Sequence, residues 1–86
     1  MFQTIKRKLT INQKIIDYLV ESLTPWMIVN HGRKVQSKQF QKLLSSHCYA
    51  AKRALKVSEK EISSCLVKKY PVIKGMLIEH NITINI

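Results

Sequence analysis

Apolar residues recur at helical spacing along most of this chain. The first series, spaced four residues apart, consists of Ile11, Ile15, Leu19 and Leu23. At about 100° per residue this series forms one stripe on a helix, opposite polar residues. The spacing predicts a first helix over about residues 12–23, with Thr10 or Asn12 as its N-cap.

The chain then has the features of a restart. Pro25 fits the first turn of a new helix, and Thr24 can cap it. The apolar residues 26–29 suit either one helical turn or a short buried strand, because four residues are too few for periodicity to decide. Asn30 and Gly32 indicate a stop, since both tolerate positive φ at a C-terminal cap.

The longest amphipathic segment covers residues 38–56. Its apolar face consists of Phe40, Leu43, Leu44, His47, Cys48, Ala51, Ala54 and Leu55. Because the apolar and polar faces stay separate through Ser45 and Ser46, the pattern favours one helix of about 19 residues, roughly 28 Å long, with Ser37 as N-cap. A break at Ser45 and Ser46 is the alternative, and it would make residues 48–56 a short recognition helix.

A third helix follows. Ser58 and Glu61 have the spacing of a capping box, which predicts a helix over about residues 59–69. Pro71 disfavours the α conformation of the residue before it, so the helix should stop or kink there. Residues 72–77 suit one or two further turns.

Both ends of the chain predict extended structure. Asn81 is a terminator, and residues 82–86 alternate strictly and are rich in Ile and Thr, as in a terminal strand. Residues 1–10 suggest a basic arm or edge strand. Within one molecule the only partner for the terminal strand is the segment 3–11; otherwise two copies would pair as a homodimer.

These elements predict a mainly α fold of three to four helices with short terminal β-strands. Residues 1–86 form one small domain with a helical core over 12–80, since a chain this long supports one modest core. The architecture resembles the helix-turn-helix and winged-helix class of DNA-binding domains. The resemblance is one of architecture only, so it implies DNA binding as an expectation and carries over no functional residue.

Composition and cysteine usage narrow the setting. The chain has no signal-peptide pattern and no apolar run that could span a bilayer, which predicts an intracellular, cytoplasmic protein with Cys48 and Cys65 as free thiols. The cysteines and histidines lack zinc-site spacing, so no metal or other cofactor is expected. Carboxylates are sparse and unpaired, and phosphate loops and catalytic motifs are absent from the sequence. An enzyme is therefore not predicted.

Charge gives the strongest functional signal. The chain carries 15 Lys and Arg against 5 Asp and Glu, a net charge of +10. Residues 22–58 contain seven basic residues and no acidic one. A field of one sign attracts polyanions, and nucleic-acid phosphates favour each cation that displaces a counterion. The sequence predicts nucleic-acid binding, with duplex DNA favoured over RNA because no RNA-stacking motif is present.

The candidate nucleic-acid-binding residues fall into three groups. They are Lys6, Arg7 and Lys8 near the N-terminus; Arg33 and Lys34 in a loop; and Lys38, Lys42, Tyr49, Lys52, Arg53 and Lys56 on the polar face of the long helix. Like charges at i,i+4, such as Lys38 and Lys42, cost a few tenths of a kcal/mol, which favours a functional surface over a merely solvated one. Tyr49 either contacts phosphate or a base, or packs over lysine stems.

The predicted function is a small DNA-binding regulator of transcription, or an accessory factor in replication or transfer of a mobile element such as a plasmid or phage. The reading face is mainly Lys, which indicates phosphate contacts, whereas base readout favours Arg, Asn and Gln. The alternative is a basic protein-interaction module, an inhibitor or adaptor that binds an acidic or nucleic-acid-binding partner. Membrane binding is disfavoured because the apolar face of 38–56 is Ala-rich and needed for the core.

Overall fold

The first helix is longer than the sequence pattern predicted. In the computed structural model, which describes residues 2–85 and the side chains of residues 11–85, α1 is Phe2–Val29. The predicted basic arm or edge strand is therefore wrong, because the segment after residue 1 is helical, and residue 1 lies outside the described residues. Thr10 and Asn12 lie inside α1 rather than at its cap. No Gly or Pro occurs upstream of them, so the sequence there contains no strong helix breaker.

The predicted restart at Thr24 and Pro25 is also wrong. α1 continues through Pro25, and Thr24 Oγ1 donates a 2.6 Å hydrogen bond to the carbonyl oxygen of Val20. Leu23 before the proline and Met27 after it are both fully buried. Packing on both sides of Pro25 thus offsets the backbone hydrogen bond that proline cannot donate.

The second helix, α2, is Ser37–Leu55 and confirms the single helix that the pattern favoured. Ser45 and Ser46, where a break would have made a helix-turn-helix, are exposed residues in the middle of a continuous helix. Phe40 and Ala51 are buried on either side of them and lie on the same helical face. A break would rotate these two residues out of register with the core.

The third helix, α3, is Glu59–Glu79. Its capping box is confirmed, since Glu61 N–H donates to Ser58 Oγ at 3.1 Å and Ser58 N–H donates to Glu61 Oε1 at 3.1 Å. The predicted stop before Pro71 is wrong, because the helix continues through the proline and includes the further turns expected after it. Leu77, buried beyond the proline, anchors this second half in the core.

The terminal strand is confirmed, but its partner is not the predicted one. β2, Thr83–Asn85, pairs in parallel with β1, Lys34–Gln36, and the register places Val35 opposite Ile84. The N-terminal segment predicted as the partner belongs to α1 instead, and residue 86 lies outside the described residues. Three residues are too few for β1 to show alternation, so this strand could not be predicted from the sequence pattern.

Short turns connect the helices to this sheet. Gly32 has a positive φ of 75°, and its N–H donates to the carbonyl oxygen of His80 at 2.8 Å, which joins the two approaches to the strands. Asn81 has a φ of 54° and ends α3 as predicted. β1 leads directly into α2, where the N-cap residue is Gln36, without a side-chain cap; the cap predicted at Ser37 is wrong.

α1 is the central element of the fold. It contacts both α2 and α3, whereas α2 and α3 contact each other only lightly. The buried apolar residues are Ile15, Ile16, Leu19, Leu23, Met27, Val35, Phe40, Ala51, Ile62, Cys65, Ile73, Leu77 and Ile82. The predicted class is confirmed: a small, mainly helical single domain with three helices and two short strands. Within residues 2–85, none of the helices combines the length and apolar character needed to cross a bilayer.

Candidate nucleic-acid interface

The outer face of α2 carries a linear basic stripe. The stripe consists of Lys38, Lys42, Tyr49 and Arg53 on α2 and of Lys56, the residue that follows the helix, all of them exposed. At about 100° and 1.5 Å per residue, the four members on α2 fall within an arc of about 60° and extend over about 22 Å. Lys56 has a left-handed backbone, with a φ of 54°, and lies just beyond the C-terminal end of the helix. Phe40 and Ala51 fix this orientation, because burial of the inward face against α1 leaves the opposite face in solvent.

No acidic residue lies on α2, and few acidic residues elsewhere reach it. Among residues 11–85, whose side chains are described, the one ion pair joins Lys52 Nζ to Glu59 Oε1 at 3.7 Å. Lys52 lies to one side of the stripe, toward α3, and it is the least exposed basic residue on the helix. The structure thus separates Lys52 from the other predicted residues of this helix.

Tyr49 is exposed rather than packed into the helix surface. The residue is 59% exposed, and the Arg53 guanidinium lies 5.9 Å from the centroid of its ring. That distance is within the range of a cation–π contact, which at an exposed site contributes about 0.5–1 kcal/mol. The contact holds an aromatic ring and a planar cation side by side in the centre of the stripe.

The flanking basic residues divide into two groups. Arg33 and Lys34 are exposed at the entrance to β1, which leads into the N-terminal end of α2, so they extend the positive field beyond that end. Lys6, Arg7 and Lys8 belong to the N-terminal part of α1, and their side chains lie outside the described residues. The structure therefore brings the first group to the stripe and leaves the second untested.

Part of the positive charge on α2 has a structural role. Lys52 and Arg53 lie in the last turn, where cations interact favourably with the negative end of the helix dipole. Lys38 and Lys42, in contrast, lie near the positive end, where cations are unfavourable. The N-terminal half of the stripe therefore has no stabilising explanation within the fold.

His47 lies on the inward side of α2, at the edge of the core. It is half-buried, and its Nδ1 lies 3.2 Å from Ser22 Oγ on α1. The two thiols differ in exposure: Cys48 is half-buried and Cys65 is buried, and burial raises the pKa of both. Residues 11–85 contain no cluster of three or more His, Cys, Asp or Glu side chains that could hold a metal ion.

Sequence reasoning missed a groove between α2 and α3, which we call the interhelical groove. It encloses about 540 Å³ and is lined by Gln41, Leu44, Ser45, Cys48, Tyr49, Lys52, Glu59, Ile62, Ser63 and Leu66. The only sequence signal was the small polar residue on each helix, Ser45 and Ser63, at a position adjoining an apolar face. Such a signal cannot reveal how far apart two helices lie.

Comparison of the chain with protein-family models, curated proteins and solved structures found no match. The function must therefore be argued from the residues and geometry of this molecule.

Proposed function

We propose that the protein binds nucleic acid, with duplex DNA as its ligand, through phosphate contacts from the basic stripe of α2. The observation that carries the proposal is the composition of this face: three exposed cations and an exposed tyrosine in a line on a helix without a single carboxylate, with Lys56 exposed just after it. A linear array of one sign complements a polyanion whose phosphates are also arranged in a line.

The dimensions of α2 are compatible with duplex DNA. A helix with side chains is about 10–12 Å across, and the major groove is about 12 Å wide, so α2 fits in the groove or along its edge. Lys38 and Lys42 would contact one end of the site, and Arg53 and Lys56 the other. Lys34, just before α2, would hold the flanking backbone.

The chemistry of the stripe favours positioning over base reading. Three of its four cations are lysines, which bind phosphate as point charges, whereas bidentate base readout uses Arg, Asn or Gln. Tyr49 can donate its hydroxyl to a phosphate or stack on an unpaired base. Backbone-dominated binding of this kind suits an accessory factor of replication or transfer, or a small regulator of transcription.

The test is a gel-shift titration of the full chain against duplex DNA, single-stranded DNA and RNA at several salt concentrations. With about 5 phosphates neutralised, we expect log K to fall with log[salt] at a slope of about −4 to −5, with duplex bound most tightly. A flat salt response, or no binding at low salt, would refute the proposal. Tightest binding to single strands would assign the ligand to another class of nucleic acid.

A further inference from the structure

The interhelical groove is a concave apolar surface that the core does not fill. Leu44 and Cys48 from α2 and Leu66 from α3 remain half-buried there, over a buried Ile62. The two helices are joined by residues 56–58 and pack on α1 more than on each other. Apolar area that folding leaves uncovered is available for burial against a partner.

The rim of the groove is polar and carries unbalanced charge. Lys52 and Glu59 are the charged residues that line it, and the exposed Lys56 and Lys60 lie beside them at the turn between the helices. The Glu59 side chain is 84% exposed and its Oε1 lies 3.7 Å from Lys52 Nζ. Exposed ion pairs of this kind contribute little, so an incoming carboxylate can replace Glu59 beside Lys52.

We propose that this groove binds an acidic amphipathic helix of a partner protein. The groove residues of α2 run from Gln41 to Lys52, three helical turns or about 16 Å, which matches a short helix lying between α2 and α3. Such a helix would cover the half-buried leucines with its apolar face and direct its carboxylates to the lysine rim. Helix-in-groove recognition uses this division between apolar anchors and charged edges.

Charge complementarity selects this occupant over a second copy of the chain. With a net charge of +10, two copies repel each other, whereas an acidic segment is attracted. The inference does not rest on the DNA-binding proposal, because the groove lies on the side of α2 that adjoins α3; Tyr49 borders both the groove and the basic stripe.

Matched serines provide the test. Ser63 and Ser45 line the groove, one on each wall, while their neighbours Ser64 and Ser46 are exposed outside it. Ser63→Trp or Ser45→Trp should fill the groove, whereas Ser64→Trp or Ser46→Trp introduces the same side chain outside the groove. Circular dichroism and melting temperature confirm that each variant is folded, and either wall alone suffices for the comparison.

The probe is a displayed library of peptides of about 16 residues, selected on the full chain. We expect enriched peptides to be acidic with apolar residues at i, i+3, i+4 and i+7. In fluorescence polarisation, Ser63→Trp and Ser45→Trp should weaken them by about tenfold or more, while Ser64→Trp and Ser46→Trp should leave affinity within about twofold. Equal affinity across all four variants, or enriched peptides without acidic helical pattern, would overturn the proposal. A groove variant that instead dissociates a dimer would show that a second copy is the occupant.

Discussion

The outer faces of α2 and α3 are exposed parts of the same small domain but carry different chemistry. On α2 the centre of the face is basic, with Tyr49 as its one large exposed apolar group. On α3 the centre mixes apolar and basic side chains: Val67 is 82% and Ile78 75% exposed, and the exposed Lys60 and Lys74 each lie within about 20° of Val67 around the helix. The two faces are both exposed to solvent but differ in side-chain composition, so exposure alone does not explain the composition of either face.

The N-terminal ends of the two helices also differ. α3 begins with a capping box and has Glu59 and Glu61 in its first turn, where carboxylates interact favourably with the positive end of the helix dipole. α2 begins without a side-chain cap, has no acidic residue in its first turn, and places Lys38 there instead. Departures from local stability rules are expected at functional sites. The comparison therefore supports the proposal that the α2 face, rather than the α3 face, is the binding surface.

The largest expected effect comes from reversing charge on the α2 face. Lys42→Glu with Arg53→Glu should weaken duplex binding by about 100-fold at low salt and reduce the salt slope by about two, because two phosphate contacts become repulsions. Lys68→Glu with Lys74→Glu on α3 is the matched control, since it changes net charge by the same amount. Gel-shift titration measures both, with melting temperature as the check on folding.

An equal loss in the two double variants would mean that net charge alone, and not the stripe, governs binding. Loss of folding in the α2 variant would place that face inside the molecule, contrary to its exposure.

Much of the fold could be predicted from sequence because long amphipathic segments determine their own periodicity. The continuous α2 and the capping box at Ser58 are examples. The continuation of α1 through Pro25 and of α3 through Pro71 could not be predicted from the pattern, because proline disfavours a helix locally. Both prolines are tolerated here because buried residues follow them in the helix. β1 was missed because its pairing with β2 depends on contacts distant in the chain.

For the candidate site, sequence could predict which residues are basic and which helical face they share. It could not separate Lys52 from Arg53, because that difference depends on Glu59 lying across a turn from α2. The groove was equally invisible, since it depends on the spacing of two helices that both pack on a third. Residue spacing along one helix is local information, whereas both missed features are tertiary.

Pro71 provides the next test, since it is the residue in α3 with the lowest helix propensity. Pro71→Ala should stabilise the protein by about 1–2 kcal/mol: proline costs about 3 kcal/mol relative to alanine inside a helix, partly offset by the greater entropy that alanine gives the unfolded chain. Urea denaturation measures the change. Destabilisation would show that the packing of Leu77 requires the backbone shape that proline imposes.

Tyr49 sharpens the comparison at the level of a single side chain. Tyr49→Ala should weaken duplex binding by about three- to tenfold, because it removes both the hydroxyl and the ring beside Arg53. Tyr49→Phe separates the two contributions: retained affinity would assign the effect to the ring, and full loss would assign it to the hydroxyl. A greater loss for single-stranded DNA than for duplex would indicate base stacking.

Substitution of the two most exposed apolar residues of α3, Val67 and Ile78, should have little effect in the same assays. Val67→Ser with Ile78→Ser should change stability by no more than about 0.5 kcal/mol per site, since both side chains are mostly in solvent. Duplex affinity should stay within about twofold. Sizing chromatography is the further check, because a change in molecular size would show that this face joins copies of the chain.

The smallest effect concerns the two thiols, Cys48 on α2 and Cys65 on α3. Burial raises the pKa of both above the ordinary value of 9.0, with Cys65 adding to the effect at Cys48. A raised pKa in the folded state means that the thiols contribute stability which is fully present below pH 9.0 and is lost as pH rises through the folded pKa. The contribution of these groups to the urea midpoint should therefore stay constant from neutral pH up to about pH 9 and decline above that pH, and Cys65→Ala should reduce the decline. Iodoacetamide at neutral pH should modify Cys48, half-exposed in the groove, faster than buried Cys65, whose Sγ donates to the carbonyl oxygen of Asn12 at 3.4 Å. Faster modification of Cys65 would contradict the packing of α3 on α1 described above.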